Sequence, residues 1–190
     1  MIRLRRGAFG DARPIARVHV ETWRSAYAGL LPDEALIGMT TARKSRVWRH
    51  VLGSQGGGEA VMVAEHPTDG VIGFGSCGAA RQRISGCDGE VYTLYVLPDH
   101  HGKQIGRALL AALFDRLGEN GIRSAVVWVL AGNPSRFFYE AMGGRVAGNR
   151  RERLWGAELD EICYIWPDLT VALGPKGPLR LSGQGRRVGH

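Results

Sequence analysis

The stretch from Glu90 to Gly121 constrains this chain most. Residues 90–97, Glu-Val-Tyr-Thr-Leu-Tyr-Val-Leu, are rich in β-branched and aromatic side chains and predict a buried strand. Pro98-Asp99 ends it, because proline brings no N–H to a ladder. His100-His101-Gly102-Lys103-Gln104-Ile105-Gly106-Arg107 then forms a polar turn. Beyond it Ile105, Leu109, Leu113 and Leu117 recur at every fourth position, with Leu110 and Phe114 beside them, which is one face of a helix. Gly118 and Gly121 are its stop signals.

Strand, basic glycine-containing turn and helix start have a chemical use together. A helix start leaves backbone N–H groups unpaired and carries partial positive charge. Gly102 and Gly106 allow a close approach to the backbone, and Lys103 and Arg107 add full charges. The set suits a phosphate or pyrophosphate. The same residues also make an ordinary strand-to-helix turn whose glycines ease a bend, and the turn alone leaves both readings open. It is not a P-loop, because Gly106-Arg107-Ala108 stands where Gly-Lys-Ser/Thr is needed.

The stretch resembles the acetyl-CoA-binding motif of the GCN5-related N-acetyltransferase (GNAT) superfamily in its bacterial form. That motif runs Val-x-Pro, then Gln/Arg-x-x-Gly-x-Gly/Ala opening a helix. Val96-Leu97-Pro98, Gly102, Gly106 and Ala108-Leu109-Leu110 carry the match. His101 departs from the family's Gln or Arg, and Gln104 from its usual Gly. A second segment, Asn133-Pro134-Ser135-Arg136-Phe137-Phe138-Tyr139, resembles the family's Asn-to-Tyr spacing. A third, from Trp23 to Pro32, looks like a recurrent bacterial subgroup.

The resemblance extends over residues 1–168 and sets the expectations. It implies an α/β domain over residues 1–169: a GNAT-like twisted mixed sheet with helices on both faces. Acetyl-CoA would be the co-substrate, beside Leu94, Tyr95 and Val96. Its pyrophosphate would sit on His101, Gly102, Lys103, Gln104, Ile105, Gly106 and Arg107, and its pantetheine arm near Asn133 and Ser135. Trp23 and Tyr27 would belong to the wall of the acceptor groove, with most of their area in the core. Tyr139 would protonate the departing thiolate; a phenol near pKa ~10 and a thiol near ~8.5 exchange a proton readily. Glu90, at the start of the central strand, would be the base for the amine, or else a plain strand-end carboxylate. The backbone N–H groups of 94–96 would meet the oxyanion where family strands splay.

Elsewhere the pattern is simpler. Residues 2–6 alternate as an edge strand. Asp11 is placed to cap a helix carrying Ile15, Val18, Thr22 and Ala26. Asp33 starts a second helix, with Leu36, Ile37, Val47, Val51 and Leu52 on its apolar side. Residues 60–65 and 71–79 form a hairpin around Asp69-Gly70. Gly73-Phe74-Gly75-Ser76-Cys77-Gly78 matches a dinucleotide fingerprint by letters, but no helix follows it, so its glycines are assigned to strand packing. Arg81 and Arg83 fall in an exposed connection. Residues 124–130 are nearly all apolar and predict a strand buried on both faces, parallel to the central one. Asn133 and Pro134 start the next helix, and 145–155 with 158–166 form a closing hairpin.

At 190 residues one domain is the natural expectation. Of the net charge of +7, the segment 174–190 contributes four through Lys176, Arg180, Arg186 and Arg187, leaving three for the body. A nearly balanced body argues against nucleic acid as a partner, and residues 170–190 read as a basic, Gly/Pro-rich disordered tail. Cys77, Cys87 and Cys163 are an odd set without metal-ligand spacing, which fits reduced thiols, a cytoplasmic location and no metal. No apolar run is long enough for a membrane span. The expected acceptor is a small-molecule or peptide amine, and the closing hairpin offers an edge for a homodimer. Two alternatives stand beside the enzyme: a non-catalytic acyl-CoA sensor, and a nucleic-acid-associated protein using the tail.

Overall fold

A computed structural model describes residues 1–56, 58–82, 84–154 and 156–173. Arg83, Trp155 and the tail from 174 onward, which fall in stretches interpreted above, lie outside the described residues. Seven strands form one sheet: β1 Arg3–Arg6, β2 Ala60–His66, β3 Gly70–Ala79, β4 Gly89–Val96, β5 Ala125–Leu130, β6 Arg145–Leu154 and β7 Ala157–Trp166. Their order across the sheet is β1-β2-β3-β4-β5-β7-β6. Every neighbouring pair is antiparallel except β4 and β5, the parallel pair that a strand–helix–strand unit requires. β1 and β6 are the two edges.

The helices are α1 Ala12–Ala26, α2 Asp33–Ile37, α3 Thr41–Gly53, α4 Ile105–Glu119 and α5 Arg136–Ala141. Strand side chains alternate between faces, and β3 shows what each face holds. The Phe74 ring lies 6.0 Å from His19 of α1 and 4.9 Å from Trp48 of α3. Gly73 and Gly75 point the other way, towards Leu109 and Leu113 of α4. Helices therefore cover both faces of the sheet. The glycines that mimic a dinucleotide fingerprint are packing positions: a Cβ on Gly75 would lie 2.6 Å from Leu113 and 3.0 Å from the Thr93 carbonyl. α4 sits that close because β3 presents no side chain at these two positions.

Several local expectations change. The second helix is two helices, broken at Gly38–Thr40, and Thr40 caps α3 by accepting from the Arg43 N–H at 3.3 Å. The break turns Ile37 and Val47, expected in the core, towards solvent at 72% and 54% exposure. Asp11 precedes α1 but gives it no side-chain cap. Its carboxylate instead accepts from Arg5, at 2.6 and 2.9 Å, and from the Ala8 N–H at 2.8 Å. α5 begins at Arg136, three residues later than the Asn-Pro signal suggested. Residues 170–173, expected to open the tail, continue as a turn in which Ala172 and Leu173 pack against the core.

Replacing Gly75 with alanine should lower stability by about 1–3 kcal/mol, the range for an added methyl in a close-packed core. A thermal melt checks it, and an unchanged Tm would mean that α4 does not lie hard against β3.

Candidate active site

The site begins with a missing ladder. β4 pairs with β5 only at Gly89↔Ala125 and Glu90↔Val126, although both strands run on. Past Glu90 they part. On its other side β4 stays bound to β3 as far as Val96, with one register shift that leaves Tyr92 as the extra residue. Leu97 donates its N–H to Ile72 of β3 at 2.9 Å. Backbone groups alternate sides along a strand, so the N–H groups of Val96 and Leu94 face the opening towards β5.

Two grooves meet at that opening. One, of about 890 Å³, runs from Leu94 and Val96 past the start of α4 to α5. The other, of about 610 Å³, runs between β4, β5 and α1. Leu94, Val96, His101, Pro134, Ser135 and Tyr139 line both. A molecule in either groove thus shares a wall with a molecule in the other.

The first groove has the chemistry of an anion cradle. Gly102 and Gln104 both adopt left-handed φ, 73° and 60°, and turn the chain so that α4 starts facing the groove. Gly106 is needed for another reason: a Cβ there would meet the Phe138 ring at 3.3 Å. Ile105, Gly106 and Arg107 supply first-turn N–H groups at the cationic end of α4. His100, also on this turn, sets its Nε2 3.3 Å from the Asp69 carboxylate and leaves Nδ1 buried without a hydrogen-bond partner among the described residues. Of the residues expected here, His101, Gly102, Gln104, Ile105, Gly106, Arg107 and Ser135 line the groove, as do Leu94 and Val96. Three do not. Lys103 is exposed and donates to the Asp99 carbonyl at 3.0 Å. Tyr95 faces the second groove, as the strand alternation of β4 dictates. Asn133 also faces the second groove, donating to the Tyr27 hydroxyl at 3.2 Å and accepting from the Ser135 N–H at 2.9 Å. His101 brings its Nε2 to the Val96 carbonyl at 2.8 Å, and Arg107 donates to the Leu173 carbonyl at 2.8 Å.

Tyr139 stands at the junction. It is 6% exposed, and its ring packs 6.2 Å from Trp166 and 6.1 Å from Tyr164. Its hydroxyl has no hydrogen-bond partner among the described residues. Burial, with a smaller contribution from Tyr27, raises its pKa and keeps it protonated at neutral pH.

The second groove is framed by aromatic side chains tied through polar atoms. The Trp23 and Tyr27 rings pack at 4.5 Å, and both line it while staying buried. The Trp23 indole donates to the Tyr95 hydroxyl at 2.9 Å. Sequence reasoning missed His19, Thr22 and Lys44, which also line it. No motif marks them. The one available signal was His19 and Thr22 as polar residues three apart on an otherwise apolar helix face, beside Trp23.

Glu90 requires correction. It is buried and lines neither groove. One oxygen accepts the Arg81 N–H at 2.9 Å and the other takes the Arg81 guanidinium. A carboxylate committed in this way positions Arg81, which does line the second groove, and is not poised as a base. Arg81 is exposed, as expected of that connection, but its guanidinium is tied to Glu90.

An open strand pair, a helix start facing it and a crossing second groove define a two-substrate transferase. Residues 23–144 match the model of the Acetyltransferase (GNAT) family, and the chain belongs to that family. Over 173 residues it is 33% identical to the uncharacterized N-acetyltransferase YuaI of Bacillus subtilis (strain 168), covering 90% of this chain and 96% of that one. Its fold is similar to that of PaiA N-acetyltransferase from Thermoplasma acidophilum, solved in complex with coenzyme A, with TM-score 0.66, 22% identity, and 85% and 98% of the two chains covered. It is also similar to yncA, a putative acetyltransferase from Salmonella typhimurium solved with its cofactor acetyl-CoA, with TM-score 0.63, 21% identity, and 88% and 94% covered.

Gln104 carries a side chain in a left-handed conformation that costs roughly 1–2 kcal/mol, against about 0.5–1 kcal/mol of backbone entropy for glycine. Gln104→Gly should therefore stabilise the protein by about 0.5–1 kcal/mol, read from denaturant midpoints at unchanged m-value. A loss of stability would show that the Gln104 side chain has a compensating contact.

Proposed function

We propose that the protein transfers the acetyl group of acetyl-CoA directly to an amine held in the second groove, with Tyr139 as the proton donor. The observation that carries this reading is the shared wall: Leu94, Val96 and Tyr139 line both grooves. The residues of the first groove fit a CoA thioester. The N–H groups of the first turn of α4 suit pyrophosphate, and the parted β4 offers N–H groups to an extended amide-containing arm as a neighbouring strand would. The CoA-bound relatives support the same assignment. Bound acetyl-CoA would supply an activated acyl carbon and a thiolate leaving group.

The chain's own residues do the rest. The N–H groups of Leu94 and Val96 face the place where negative charge grows on the thioester oxygen. Tyr139 gives its phenolic proton to sulfur as the C–S bond breaks, and the proton lost by the amine nitrogen as the C–N bond forms returns to the phenolate, leaving amide, CoA thiol and neutral Tyr139. Burial keeps Tyr139 in the protonated form that has a proton to give, and the same desolvation makes a thiolate formed beside it more basic. Trp23, Tyr27 and Tyr95 give the groove an aromatic wall, beside which burial favours the neutral amine that can attack. Direct transfer is supported by the cysteines. Cys77, Cys87 and Cys163 are all buried, none lines either groove, and burial raises Cys77 to about 12. The position of Tyr139 also favours an enzyme over an acyl-CoA sensor.

Tyr139→Phe should lower kcat by about a hundredfold or more while acetyl-CoA affinity, read by calorimetry, changes little. An unchanged kcat with the preferred amine removes Tyr139 from the mechanism.

A further inference from the structure

Resting on that reading of the second groove, one end of it poses a separate question. His19 of α1 is buried, at 6% exposed, and lines the groove. Its Nδ1 lies 3.2 Å from the Trp48 indole nitrogen. An indole N–H can only donate, so Nδ1 accepts and a neutral ring carries its proton on Nε2. The ring is neutral: burial, helped by Lys44, lowers its pKa to about 3. Nε2 is therefore an N–H donor, buried and without a partner among the described residues. Thr22 sits one turn further along α1, on the same face, and lines the same groove. Its hydroxyl is also buried without a partner among the described residues. Lys44 of α3 completes the group. It lines the groove with its ammonium 5.9 Å from the Trp23 ring, and it makes no ion pair among the described residues.

A buried donor left unsatisfied forfeits its hydration with no return. Two of them at one end of a cavity ask for an acceptor of hydrogen bonds. With an ammonium beside them they ask for an anion. The other cations of this groove are already matched. Arg81 is held by Glu90, and Arg150 by Glu161 at 2.7 Å and Glu152 at 3.4 Å. The groove volume of about 610 Å³ falls in the usual small-molecule range of about 300–1,000 Å³.

We infer that the acceptor is a small amine bearing a carboxylate, which docks on Lys44, His19 Nε2–H and the Thr22 hydroxyl while its amine reaches the Leu94–Tyr139 junction. An amino acid has this chemistry. A carboxylate at that end neutralises Lys44 and satisfies both orphaned donors, so recognition and orientation come from one contact set.

The test compares the standard L-amino acids with their C-terminal amides and with the amines lacking the carboxyl group, as acceptors in an acetyl-CoA assay. Acids should exceed matched amides in kcat/KM by about tenfold or more, the worth of a hydrogen bond to a charged group. Lys44→Met, which keeps a side chain over Trp23, should raise KM for acids by a similar factor and leave KM for amides nearly unchanged, with the effect in KM rather than in kcat. Thr22→Val should act in the same direction more weakly. Binding without turnover separates this inference from the transferase reading. N-acetyl-L-amino acids and N-acetyl-L-amino amides are titrated into protein saturated with CoA. Tighter binding of the acids that Lys44→Met abolishes supports the carboxylate site even where no amine is acetylated. Equal kcat/KM for acids and amides, or no preference for acids in the titration, overturns it.

Discussion

The parting of β4 from β5 is the constraint on which the site depends. Two strands that pair at Gly89 and Glu90 and then diverge leave a row of backbone groups inside the sheet that would otherwise bond to each other. Buried backbone groups need partners, so the gap is a place where a ligand completes the structure. What keeps it open is the rest of the fold. β4 is held on one side by β3 over its whole length, while β5 is held on the other by β7 through six successive pairs. Each strand follows its own neighbour, and the twist between them is not taken up by a ladder.

The glycine face of β3 sets the second coordinate. Because Gly73 and Gly75 admit Leu109 and Leu113 to close contact, α4 lies low across the sheet and its first turn reaches the open end of β4. Phe138 packing on Gly106 then fixes α5 against that same turn, which carries Tyr139 to the junction. On the opposite face Phe74 meets α1 and α3, and those helices bring His19, Thr22, Trp23 and Lys44 to the other groove. One strand with alternating glycine and bulk thus positions both halves of the site.

Local periodicity made most of the fold readable: the apolar run of 124–130, the four-residue spacing of α4 and the hairpin signals all correspond to elements found. The misreadings share a physical cause. Val47 and Ile37 were assigned to a core by assuming one helix, and three intervening residues changed the phase. Asp11 looked like a cap because caps are local, but Arg5 from the edge strand competes for its carboxylate. The site followed the same rule. Residues fixed by their own turn, such as Gly102 and Gly106, were legible. Glu90 was not, because its partner Arg81 comes from a connection whose path no pattern predicts. Lys44 and His19 were not, because α1 and α3 bring them together only in three dimensions.

Calorimetric titration of the full chain with acetyl-CoA, CoA and ATP tests the central claim most directly. The two CoA compounds carry the pantetheine arm that the gap beside Leu94 and Val96 would bind, and ATP does not. The account predicts saturable, micromolar binding of acetyl-CoA and CoA with no comparable binding of ATP. Failure of acetyl-CoA to bind, or ATP binding as tightly, would contradict it, because the opening between β4 and β5 would then not be a thioester site.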